Sequence, residues 1–125
     1  MRYKDIIEKI DARPLVAHNY TLFNREYEYV FAADLMSDAL AMINKDAEKT
    51  ILVTGLVNAQ SIRTADMLGI STIIYVRDKV PTSYEVELAR MNNFNIFSTK
   101  YTMYECCGLL YELGLKATDY VNDLL

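Results

Sequence analysis

Four short apolar runs, Val30–Ala33, Ile51–Val53, Ile73–Val76 and Phe94–Phe97, begin 21, 22 and 21 residues apart. This spacing constrains the chain more than any other feature, because a short strand, a loop and a crossover helix together consume about that length. The runs are mostly continuous in polarity rather than alternating, as strands must be when helices bury both faces of a parallel sheet. The pattern predicts an α/β fold: a single domain over residues 1–125 with a mostly parallel sheet of about five strands and helices on both faces.

The intervening segments support this. Met36, Ala39, Leu40 and Ile43 form one helical stripe, and Met103, Cys106, Cys107 and Leu110 form another, each at the i, i+3, i+4, i+7 spacing of an amphipathic helix. Asp34 and Asn58 suit N-caps, and Thr82 with Glu85 and Thr102 with Glu105 each fit a capping box. The last helix should stop near Gly114. Upstream, Tyr3, Ile6, Ile7 and Ile10 mark a further helix, Arg13-Pro14 ends it, and Leu15–Ala17 supplies an extra strand. Asn19–Glu28 is expected to be a turn, and Thr118–Leu125 a loosely held tail.

With 52% of its residues apolar, the chain can fill one core without disulfides or metals. Its 13 basic and 17 acidic residues give a net charge of −4 without a basic cluster, so neither nucleic acid nor an anionic membrane is an expected partner. No apolar run approaches the ~20 residues that span a bilayer. The opening MRYKDIIEKID reads as an amphipathic helix rather than a signal peptide, which leads to a cytoplasmic expectation. Cys106 and Cys107 are adjacent in a helical pattern, where side chains diverge by about 100°. They are read as core residues rather than a disulfide.

In open parallel sheets ligands gather beyond the carboxyl ends of the strands, where helix N-termini point outward. The residues there are polar: Asp34 and Ser37; Thr54, Gly55 and Asn58; Arg77, Asp78 and Lys79; then Ser98, Thr99, Lys100 and Thr102. Hydroxyls, a glycine and three cations suit a phosphate or carboxylate. Each residue also has a plain structural use, Asp34, Asn58 and Thr102 as caps and Gly55 in a tight turn, so the argument rests on their clustering. Thr54, Gly55, Asn58, Ser98, Thr99 and Lys100 would converge if the second and fourth βα loops belonged to neighbouring strands. Lys100 would then strengthen anion binding.

Catalytic signatures are missing. No glycine is followed by the lysine and hydroxyl of a P-loop, and the Thr54-Gly55 turn has one glycine where a dinucleotide fingerprint has three. The single His18 has no histidine partner for zinc and reads as a turn residue. The sequence therefore predicts no enzyme, no cofactor and no metal. The ten tyrosines suit a protein interface, and a homodimer is expected.

Four blocks carry a family likeness: Ala33-Asp34-Leu35-Met36-Ser37-Asp38; Leu52-Val53-Thr54-Gly55 with Asn58 and Ile62-Arg63-Thr64-Ala65; Arg77-Asp78-Lys79-Val80-Pro81; and Ser98 to Glu105. In this order they resemble the DRTGG domain family, from about Tyr3 to Leu115. The resemblance implies a small α/β domain similar to the N-terminal, non-kinase half of HPr kinase/phosphorylase. Such domains stand alone, some beside hydrogenase or NADH-oxidising systems of anaerobes, or are attached to CBS pairs, phosphotransacetylases and family II pyrophosphatases, where they are regulatory. The acidic-basic-Thr-Gly-Gly string itself is absent here, and Leu56-Val57-Asn58-Ala59-Gln60 fills the corresponding turn. The resulting expectation is a non-catalytic sensing domain binding a small anion such as an adenine nucleotide. The alternatives are a ligand-free homodimeric interaction module associated with redox or hydrogenase systems and, third, a small hydrolase or transferase using Asp34 with Lys100.

Overall fold

A computed structural model describes residues 1–18, 25–34 and 46–118. Among them are helices α1 (Tyr3–Lys9), α2 (Ala59–Leu68), α3 (Ser83–Met91) and α4 (Met103–Glu112). The strands are β1 (Arg13–Val16), β2 (Tyr29–Ala32), β3 (Thr50–Thr54), β4 (Thr72–Tyr75), β5 (Asn95–Ser98) and β6 (Lys116–Ala117). They form one six-stranded sheet in the order β1-β5-β4-β3-β2-β6. The β1–β5 pair is antiparallel and every other pair is parallel.

The four strands anticipated from the apolar rhythm all form, with their ends displaced by no more than one residue. The sheet has six strands rather than about five because residues 116–117 add a short strand beside β2. The extra upstream strand begins at Arg13 and contains Pro14, which an edge strand tolerates because a missing N–H can face away from the ladder. The helix expected over Met36–Ile43 lies outside the described residues, as do residues 19–24 of the anticipated turn and residues 119–125 of the tail.

Helix ends follow local chemistry. The Asn58 side chain accepts the Ser61 N–H at 3.0 Å, satisfying a donor at the start of α2, and Gly69 closes that helix at φ +80°, a conformation glycine adopts without steric cost. Thr102 and Glu105 form the complete reciprocal capping box at the start of α4. Thr82 and Glu85 do not. There the threonine hydroxyl donates directly to the glutamate carboxylate and makes no cap bond to the backbone. Both carboxyls are held below their ordinary range, Glu105 first by the Thr102 backbone N–H and Glu85 first by the Thr82 hydroxyl.

Side chains alternate across the sheet. Ile51, Val53, Ile74, Val76 and Phe97 pack with Ile6 and Ile10 from α1 and its C-terminal end, and with Cys106 and Leu110 of α4. Leu52, Ile73, Tyr75 and Ile96 pack on the other face with Ile62 and Ala65 of α2, Ala89 of α3 and Phe94. Buried Tyr75 keeps its hydroxyl paired with Ser61 Oγ at 3.0 Å, and buried Tyr27 with Thr72 Oγ1 at 2.7 Å. Burial pushes both phenols above their usual pKa. Cys106 is fully buried and its thiol is pushed up to about 12, as expected of a packing residue rather than a nucleophile.

Phe94 is 1% exposed at the entry to β5. Phe94→Ala should lower unfolding free energy by about 3–5 kcal/mol, because truncation removes apolar contacts and leaves a cavity. Urea denaturation of the variant beside the wild type checks this.

Candidate functional site

The sheet delivers α2 and α3 to one face, whereas the chain leaving β5 enters α4 on the other. β4 and β5 are adjacent and parallel, and the chain leaving them enters helices on opposite faces, which makes their carboxyl ends a topological switch point, the place where open sheets take ligands. β4 also lies between β3 and β5. The second and fourth βα loops are therefore not neighbours, and the anticipated direct meeting of Thr54 and Asn58 with Thr99 and Lys100 does not occur. The basic loop after β4 stands between the two groups.

That loop has an unusual backbone. Arg77 and Asp78 both adopt φ +58°, where a non-glycine residue is strained. Two bonds to the next loop hold them there. The Arg77 N–H donates to Tyr101 O at 2.7 Å and the Asp78 N–H to Thr99 O at 2.7 Å. Thr99 is itself fixed, buried to 1% exposure and donating its hydroxyl to Ile10 O at 2.6 Å, which ties the loop after β5 to the end of α1.

Lys79 links the neighbouring loops. Its ammonium donates to Gly55 O at 2.8 Å, while its own carbonyl accepts the Ser98 hydroxyl at 2.8 Å. From the opposite side Asp34 Oδ1 accepts the Gly55 N–H at 2.6 Å and the Thr54 hydroxyl at 3.4 Å. Both backbone polar groups of Gly55 are thus held by charged side chains from other strand ends. A Cβ on Gly55 would lie 2.9 Å from Arg77 Nη2 and 3.2 Å from Asp34 Oδ1, so the bare glycine is what lets the guanidinium lie over the turn.

The candidate residues therefore divide by role. Asp34, Thr54, Gly55, Arg77, Lys79 and Ser98 are joined across the ends of β2 to β5, with Thr99 anchoring one side. Asn58 and Thr102 are engaged as helix caps. Lys100 turns outward, with its ammonium 3.3 Å from Asp11 Oδ2 and 5.6 Å from the centre of the Tyr101 ring. Asp78 pairs with Arg13 at 3.3 Å. Arg77 is exposed, and its guanidinium enters no ion pair among the described residues. No group of three His, Cys, Asp or Glu side chains is placed to hold a metal ion among those residues.

A solved structure with a similar fold is the CBS and DRTGG domains of the regulatory region of Clostridium perfringens pyrophosphatase, complexed with its activator, diadenosine tetraphosphate. The match has a TM-score of 0.69 at 16% identity and covers 97% of this chain and 51% of that one. The likeness is therefore one of fold, and this chain spans about half the length of that structure. No protein-family model matches the sequence, and no curated protein matches it.

Sequence reasoning did not anticipate the left-handed Arg77-Asp78 pair, the reach of Lys79 to the Gly55 carbonyl, or the pinning of Thr99 by Ile10. The one local signal was Asp78, a residue type that tolerates positive φ better than most. Arg77→Gly should relieve strain and raise unfolding free energy by about 0.5–1 kcal/mol, the relief being partly offset by glycine's larger unfolded-state entropy. Thermal denaturation monitored by circular dichroism reads the sign, and a clear loss of stability would show that the guanidinium's packing outweighs the backbone strain.

Proposed function

We propose that this chain is a non-catalytic regulatory domain that senses an adenine nucleotide, or a closely related phosphate ester, in the crevice between the ends of β3, β4 and β5. The observation that carries the proposal is Arg77. Its exposed guanidinium, which enters no ion pair among the described residues, lies over Gly55 on a strained backbone that two hydrogen bonds maintain. Strain of this kind concentrates at ligand sites, and a guanidinium suits bidentate recognition of phosphate.

Lys79 adds a second cation that can exchange its Gly55 carbonyl for a phosphate oxygen. Asp34 favours a ligand that also carries hydrogen-bond donors, such as ribose hydroxyls or an exocyclic amine, and disfavours a bare phosphate. Thr54, Gly55, Ser98 and Thr99 shape the crevice, and Asn58 and Thr102 align helix starts toward it. Lys100 supplies longer-range attraction from the rim. The similar fold of a regulatory region that takes diadenosine tetraphosphate as activator supports the reading. So does the resemblance to DRTGG domains, including the non-kinase half of HPr kinase/phosphorylase. The same reading takes the chain to be cytoplasmic and homodimeric. Among the described residues no helix is long and apolar enough to cross a membrane.

A second reading, a protein-interaction module without a ligand, draws on the exposed Tyr84, Tyr104 and Tyr111. Isothermal titration with ATP, diadenosine tetraphosphate and inorganic phosphate separates the two. The sensing reading expects measurable heat with the nucleotides, weaker binding of phosphate alone, and a loss of about ten- to a hundredfold for Arg77→Gly or Lys79→Ala, since a charge-assisted bond is worth about 1.5–3 kcal/mol. Lys100→Ala should lose several-fold at most. No heat with any of the three at millimolar concentration would leave the interaction module as the standing account.

A further inference from the structure

A groove of about 340 Å³ runs along the outer edge of the sheet, between β2 and the side of α4. Val30, Ala32, Cys107, Leu110 and Tyr111 are among its walls, and Lys116, beside the start of β2, is the one charged residue that lines it. Its size is that of a small-molecule pocket, and its lining is of the mostly apolar kind that takes a flat ring. None of the residues gathered at the ends of β2 to β5 lines it.

The strand register adds the polar groups that such a pocket needs. Lys116 N–H donates to Glu28 O at 2.9 Å and Thr118 N–H to Val30 O at 3.2 Å, so alternate residues of this stretch turn their backbone groups toward β6. Ala33 N–H turns the other way and donates to Val53 O at 3.1 Å. By the same alternation the N–H and C=O of Ala32 both face the outer edge, yet the β2–β6 ladder ends with the pair Val30 and Ala117. Neither group is hydrogen-bonded among the described residues. Ala32 is exposed and borders the groove. A donor and an acceptor therefore stand side by side over an apolar slot.

We propose that this groove seats the adenine ring of the nucleotide whose phosphates lie at Arg77 and Lys79, with the backbone of Ala32 reading the ring's Watson–Crick edge. The proposal rests on the nucleotide reading above and gives the base a place of its own. Ala32 C=O accepts from the exocyclic amine and Ala32 N–H donates to ring nitrogen N1, while apolar side chains hold the ring's faces. Guanine carries an acceptor where adenine carries that amine, so at this seat it makes neither bond.

Spacing and charge suit one ligand across both places. Asp34 is two residues beyond Ala32, about 7 Å along the strand direction. Its carboxylate accepts the Gly55 N–H at 2.6 Å, beneath the Arg77 guanidinium, and neighbouring strands are only about 4.8 Å apart. A ribose beside Asp34 thus joins a ring at Ala32 to phosphates over Gly55. No carboxylate lines the groove to repel those phosphates, and Tyr111 offers aromatic surface for the ring to lie against.

Isothermal titration of the full chain with ATP, GTP and inorganic tripolyphosphate tests this on wild type, Ala32→Pro, Cys107→Phe and Met91→Arg. Ala32→Pro removes the donor and spares the Ala33 bond to β3, and an edge strand tolerates proline there. Cys107→Phe fills the slot from α4, so the test stands even if proline disturbs the strand. Wild type and Met91→Arg, which alters an exposed position on α3, should bind ATP alike and about tenfold more tightly than GTP. Both groove variants should lose about tenfold for ATP and nothing for tripolyphosphate, with unchanged circular dichroism. Equal affinity for ATP and GTP, or ATP binding indifferent to both groove variants, would overturn the base seat alone and leave the groove to a protein partner. A wild type that gives no heat with ATP or tripolyphosphate would overturn the nucleotide reading itself and the base seat with it.

Discussion

A parallel sheet is apolar on both faces and cannot be stable until both are covered, and the way this chain meets that requirement determines where a ligand can sit. β3, β4 and β5 lie side by side in chain order, and α2 and α3 cover one face. Continuing in the same sense would leave Ile51, Val53, Ile74 and Phe97 on the other with only Ile6, Ile10 and Tyr27 to cover them. After β5 the chain instead crosses to that face as α4 and returns to the far edge as β6, beside β2. The reversal buries the second core cluster and makes the ends of β4 and β5 the topological switch point of the sheet, where the two following loops are hydrogen-bonded to each other before their helices go to opposite faces.

The strand ends at this switch point are braced rather than loose. Thr99 is held by Ile10, the Arg77 and Asp78 amides by the loop that Thr99 begins, Ser98 by the Lys79 carbonyl, and Gly55 by Lys79 and Asp34 together. These bonds join the ends of four strands and the end of α1, so the left-handed pair at residues 77–78 cannot relax without breaking several of them. The backbone that carries Arg77 is therefore already ordered, and binding would have to order only its side chain. That is the physical basis for assigning recognition to Arg77 rather than to Lys100, whose ammonium lies outside the crevice beside Asp11.

The parallel strands were legible because each is buried on both faces, and that demand is written into continuous runs such as Ile73–Val76. The capping box at Thr102 and Glu105 was legible because it is a local exchange of hydrogen bonds within four residues. Strand order was not, since nothing within a βα unit records which strand lies beside it, and the insertion of β4 between β3 and β5 redistributed the predicted site. β6 escaped notice for a related reason. Lys116 and Ala117 are both exposed, and their pairing is dictated by the return of α4 rather than by their own propensity. The polar cluster was correctly located at the strand ends, but which of its members hold the loops and which face solvent depends on contacts between residues 20 to 90 positions apart, such as Asp34 with Gly55 and Thr99 with Ile10.

The central claim is that a nucleotide binds where β3, β4 and β5 end, and an amide chemical-shift titration of the labelled protein with diadenosine tetraphosphate tests it most directly. The account predicts saturable shifts concentrated in Thr54–Asn58, Val76–Lys79 and Ser98–Tyr101, with the exposed end of α3 around Met91 unaffected. Absence of shifts at millimolar ligand, or shifts gathered on α4 with the strand ends silent, would contradict it.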